Sequence, residues 1–113
     1  MSKASDDLSA RIRAHYGDHP ALIDKKMFGG AGFMLNGNMV AGSTAKGVLM
    51  IRANPDTFGE ALARPGAFQL QMGERMMKGF IGVEDEAIED DEALGEWLDY
   101  AMAYVRTMPP KRK

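Results

Sequence analysis

Two periods of apolar spacing alternate along this chain, and the switches between them mark its elements. Over residues 4–16, Leu8, Ile12 and Tyr16 recur every four positions and give one apolar helical stripe. Gly17 suits the positive-φ position that ends a helix. "DHPALID" then reads as a connecting loop, because Pro20 disfavours helix at His19. "MFGGAGFML" and "NMVAGST" are apolar runs on either side of Asn36-Gly37, a pair that predicts a two-residue hairpin turn. "GVLMIRA" follows "TAKG" as the third strand of a meander.

A second helix is predicted over "ANPDTFGEALARPG". Asn54 caps it, Pro55 takes the first helical position, and Asp56 sits at the positive end of the dipole. Phe58, Ala61 and Leu62 form its buried face, and Arg64-Pro65-Gly66 stops it. "AFQLQM" alternates, with Phe68, Leu70 and Met72 on one face and Gln69 and Gln71 on the other, as in a half-buried strand. "GER" turns the chain and "MMKGFIGV" returns as a fifth strand. Leu94, Trp97, Leu98, Ala101, Val105 and Met108 trace a last amphipathic helix, capped by Asp90 or Asp91 and ended by Pro109-Pro110. The order is α-β-β-β-α-β-β-α. Hairpins predominate, so the expected class is α+β, a mainly antiparallel sheet packed by helices.

Composition narrows the function. With 113 residues the chain is expected to be one domain, with a core over about residues 4–108 and a basic tail at 109–113. No apolar run could span a bilayer as a helix, and "MSKASDDLSA" lacks the apolar centre of a signal peptide. Zero cysteines exclude disulfides, thiolate metal sites and cysteine nucleophiles. The expected compartment is the cytoplasm, with no membrane contact. A formal net charge of -2 argues against a dedicated nucleic-acid binder. Ten methionines predict a Met-rich core; the alternative is a Met-lined adaptable binding surface.

The candidate chemistry is sparse. "MFGGAGFMLNG" has glycines in plenty, but a phosphate loop needs a helix after it, and here a hairpin follows. Those glycines are expected to bend a strand or admit close packing on the backbone. His15 and His19 are four apart, but Gly17 and Pro20 break any helix that would join them on one metal-binding face. Ser43 and Thr44 lie near a turn and not on a nucleophile elbow. No catalytic, cofactor or metal site is expected. Two clusters remain. Lys26, Arg52 and Lys78 lie on or beside strands and are candidate contacts for an anion, a ligand or a partner. Glu84, Asp85, Glu86, Glu89 and Asp90 belong to an acidic run entering the last helix. That run reads either as a solvated, dipole-favoured helix start or as an acidic docking patch for a basic partner.

"KKMFGGAGFMLNGNMVAG", "GVLMIRA", "MKGFIGV" and "LGEWLDYAMAYV", in this order, resemble the N-terminal domain of the TfoX/Sxy family of competence regulators. The matching residues are Lys26 to Gly30 with Gly32, Leu49 to Arg52, Met77 to Phe80, and Trp97, and the resemblance covers about residues 8 to 108. It implies an α+β fold similar to secretion-chaperone-like domains. Full-length TfoX proteins activate competence genes together with a cyclic-AMP receptor protein, and they carry a second, C-terminal domain. This chain is expected to be a stand-alone N-terminal domain without it. The implied role is a non-enzymatic regulatory or protein-interaction domain, working through a protein partner such as a transcription factor. It is expected not to bind DNA specifically alone, and to be a monomer or homodimer. The alternative is a small-ligand or anion-binding protein, with enzymatic activity included, using a basic strand-face site.

Overall fold

The computed structural model describes residues 3–17, 21–27, 30–44, 46–72 and 75–109, with the side chains of 3–5, 27, 72 and 75–78 outside that description. Its elements run α1 (Lys3–Tyr16), β1 (Leu22–Met27), β2 (Gly30–Leu35), β3 (Asn38–Ser43) and β4 (Leu49–Arg52). A 3₁₀ turn over Pro55–Thr57 leads into α2 (Phe58–Leu62), followed by β5 (Ala67–Met72) and β6 (Arg75–Val83). A second 3₁₀ turn, Asp85–Ile88, precedes α3 (Asp91–Val105). The six strands form one sheet in the order β1-β2-β3-β4-β6-β5, antiparallel throughout. Among the described residues no helix is long and apolar enough to cross a membrane.

The α+β class and the antiparallel sheet are as the sequence predicts, but one strand is additional. Part of "DHPALID", predicted as a loop, belongs to β1, which pairs with β2 from Leu22↔Leu35 to Met27↔Gly30. "LIDKKM" lacks apolar alternation because Asp24-Lys25-Lys26 fills its centre. An edge strand tolerates such charge, so its pairing partner rather than its own pattern makes it a strand. Met27 therefore ends β1 instead of opening the next strand; Phe28 and Gly29 lie outside the described residues.

The local signals elsewhere are obeyed. Gly17 takes φ +64° and its N–H donates to the Arg13 carbonyl at 2.9 Å, closing α1. Asn36 and Gly37 take φ 52° and 86°, the double positive-φ turn that the β2–β3 hairpin requires. The Asn54 carboxamide accepts from the Asp56 N–H at 2.9 Å, and Pro55 follows. Asp90, not Asp91, caps α3, accepting from the Ala93 N–H at 2.7 Å. Asp91 is instead bound to Arg11 of α1 at 3.1 Å.

The sheet has two apolar faces. On one side, Phe33, Val40, Ala41, Leu49, Ile51, Ile81 and Val83 pack with Leu8 and Ile12 of α1 and with Leu94, Trp97, Leu98, Ala101 and Val105 of α3. Val40 is the extra residue of a bulge between Phe33↔Ala41 and Met34↔Met39, so β3 sends two successive side chains into this core. Buried Ser9 and Ser43 hydroxyls meet at 2.8 Å and join α1 to β3. The Tyr16 hydroxyl donates to the Leu98 carbonyl at 2.9 Å, joining α1 to α3. On the other side of the sheet, Met39, Met50 and Leu70 form a second buried cluster, flanked by half-buried Met34, Phe68 and Phe80. Every described member of that cluster comes from a strand. The Met-rich core predicted from composition is thus sited, for Met39 and Met50, on the sheet side away from the helices.

Arg13 of α1 pairs with Asp24 of β1 and holds the Asp24 carboxyl below its ordinary range, chiefly through their hydrogen bond. A carboxyl depressed on folding contributes stability above its ordinary pKa of about 3.9, and that contribution fades as pH falls through the lower folded value. The side chains are 55% and 48% exposed, and screening keeps the pair below about 1 kcal/mol. Asp24→Asn is therefore expected to cost less than about 1 kcal/mol in urea unfolding at neutral pH. The variant and parent should converge once the carboxyl is protonated in both folded and unfolded chains.

Candidate functional site

Of the three basic candidates, Lys26 and Arg52 do not meet in the described structure. Lys26 lies on edge strand β1, and its register partner Ala31 is in turn opposite Ser43, then Leu49. Paired residues share a face, so Lys26 belongs to the helix side of the sheet at its edge. Arg52 ends β4 opposite Phe80 of β6, on the other side of the sheet. Three strand spacings separate β1 from β4, about 14 Å. Lys78 lies in β6, but its side chain is outside the described residues.

Arg52 is the better placed of these. Its guanidinium carbon lies 5.0 Å from the centre of the Phe80 ring. Beside this stack is an open cleft of about 510 Å³ whose walls include Met34, Met39, Phe80, Met108 and Pro109. The floor is built by pattern: Met34 pairs with Met39 across the β2–β3 hairpin, and Arg52 pairs with Phe80 across β4–β6. The rim is held by Asn38, whose amide donates to the Pro109 carbonyl at 3.0 Å and ties the segment after α3 to the start of β3. Arg52 is the one charged residue lining the cleft among the described residues.

This surface was hidden in the sequence by correct local readings. "AFQLQM" is a strand as predicted, with Phe68 and Leu70 on one side, but that side is the one away from the helices. Gly82 makes room for it: a Cβ there would stand 2.5 Å from the Phe68 ring. The available signal was "LMIR", where Met50 stands between Leu49 and Ile51 and breaks alternation. All three are 0% exposed, as in a strand apolar on both faces.

The acidic run is shared between structural and free positions. Asp90 is the α3 cap, while Glu84, Asp85, Glu86 and Glu89 are exposed around the turn that Ile88 anchors in the core. Asp85 and Glu89 line a second crevice, of about 380 Å³, with Asp7 and Arg11. Arg11 is already engaged there, donating to the Ile88 carbonyl at 2.7 Å and to Asp91. The remaining polar candidates have structural partners. His15 meets Asp99 at 2.8 Å and its ring packs on Gly95, while His19 lies outside the described residues. Thr44 Oγ1 accepts from the Lys46 and Val48 N–H groups and closes its own turn. Among the described residues no group of His, Cys, Asp or Glu could hold a metal ion.

Comparison with curated proteins and with solved structures gives no significant match. The profile of one family does match, over residues 16–105, and that span runs from the end of α1 to the end of α3 and so takes in every strand of the sheet. The family is described as the TfoX N-terminal domain, and this chain belongs to it.

Proposed function

We propose that this chain is a non-enzymatic regulatory domain of the cytoplasm that works by binding a protein partner, with a transcription factor as the leading class. Family membership supports a regulatory setting. The observation that carries the reading is the second apolar face, where Met34, Phe68 and Phe80 stay half-buried around a methionine cluster that no described helix joins. Methionine-rich surfaces repack around different partners at low cost.

Affinity capture from native cytoplasm, followed by mass spectrometry, tests the reading. A partner recovered in constant proportion, and lost when Phe80→Glu breaks the face, is the expected result; recovery of none would overturn it. The same reading holds that the isolated domain does not select DNA sequences. Its net charge is -2, and its densest basic run is the short segment Lys111-Arg112-Lys113. In fluorescence anisotropy at physiological salt, promoter fragments should bind only in the non-specific range of roughly 10⁻⁴ to 10⁻⁶ M. Tight, sequence-selective binding would replace this reading with a nucleic-acid one.

A further inference from the structure

The geometry points to an acidic, apolar peptide segment of a partner protein as the occupant of the Arg52 cleft. The inference rests on the reading of this chain as an interaction domain and adds the place and the chemistry.

The apolar half of the argument is the wall. Met34, Met39 and Met108 offer unbranched thioether side chains, which adapt their rotamers to the group that enters, and the Phe80 ring gives a rigid surface among them. About 510 Å³ of open space falls within the usual range for a site that receives anchoring groups.

The charged half is the state of Arg52. Arg11, Arg13 and Arg64 each hold a carboxylate of this chain, at Asp91, Asp24 and Glu96. Arg52, like Arg106, holds none among the described residues, and of these two only Arg52 lines a cleft. Its guanidinium carbon lies over the Phe80 ring at 5.0 Å, and the N–H donors of a planar guanidinium take a carboxylate in bidentate fashion. A segment with leucine or aromatic anchors and adjoining Asp or Glu complements both halves. A basic segment complements only one.

Display selection of random short peptides against the immobilised full chain tests this. Enriched sequences should combine Leu, Phe or Trp with Asp or Glu. A synthetic copy of an enriched peptide should shift the methyl resonances of Met34, Met39 and Met108. Arg52→Glu should weaken it about tenfold or more, the effect of losing one charge-assisted contact. Arg52→Gln, which keeps a side chain over Phe80, reads the same loss if the glutamate variant unfolds. Enrichment of basic or purely polar sequences, no enrichment, or affinity indifferent to both Arg52 variants would overturn the inference. The two readings fail separately. A captured partner whose contacts map by hydrogen exchange to residues 84–90 would leave the interaction role standing and remove this cleft from it.

Discussion

Trp97→Ala is expected to cost about 3–5 kcal/mol, the range for removing a fully buried large aromatic. The indole is 2% exposed at the centre of α3. Leu94, Leu98 and Ala101 flank it on the stripe that packs on the sheet, and the Tyr100 ring meets it edge-on at 6.1 Å. The Arg64 guanidinium, from the turn after α2, covers the ring at 4.2 Å. Truncation therefore leaves a cavity and also unpins that turn. With a urea m-value near 2 kcal/mol/M, the midpoint should fall by about 2 M. That is a large fraction of the 5–15 kcal/mol typical of whole domains. A loss below about 1 kcal/mol would mean that the indole does not fill this core.

Gly30→Ala should cost at least about 3 kcal/mol, the upper end for an overpacked site. A Cβ on Gly30 would stand 1.9 Å from the Ser43 carbonyl oxygen and 2.8 Å from its carbon. Those atoms are backbone of the neighbouring strand, so relief requires β2 and β3 to separate. Ser43 also holds α1 through Ser9, so the displacement would reach a second contact. Gly59→Ala is the control. Gly59 lies in α2 with nothing within 4 Å of an added Cβ, and alanine there should stabilise by about 0.4–1 kcal/mol. Thermal and urea unfolding of the pair should move in opposite directions. Equal effects would refute the assignment of the glycine-rich segment to strand packing.

The elements that carry their own punctuation were legible in the sequence. Gly17, Asn36-Gly37, Asn54-Pro55 and Asp90 each impose a local backbone geometry that needs no tertiary information. Strand β1 was not legible, because its residues are charged and only the edge of β2 makes them extended. The glycine-rich segment was correctly separated from a phosphate loop by the hairpin after it. Its steric purpose depends on which strand lies alongside, and spacing does not reveal that. In the sequence the candidate site is visible only one residue at a time. Arg52 emerged among scattered cations, whereas the Met34, Met39 and Phe80 surface beside it depends on register across two strand pairs. Lys26 fell into the same group because a cation count carries no information about sheet faces.

Strand β1 is also where this fold meets the question of solubility. It pairs only with β2 among the described strands, so it offers a row of backbone donors and acceptors to any extended chain that passes. Ile23, the one large apolar residue notably exposed among the described residues at 61%, sits on that strand. Asp24, Lys25 and Lys26 follow it directly, and charged side chains, lysine above all, are what natural sheets place on an open edge to discourage pairing with another strand. The charges that concealed β1 from sequence analysis thus act as a guard against edge-to-edge polymerisation. Lys26 serves the molecule in that capacity whether or not it ever touches a ligand.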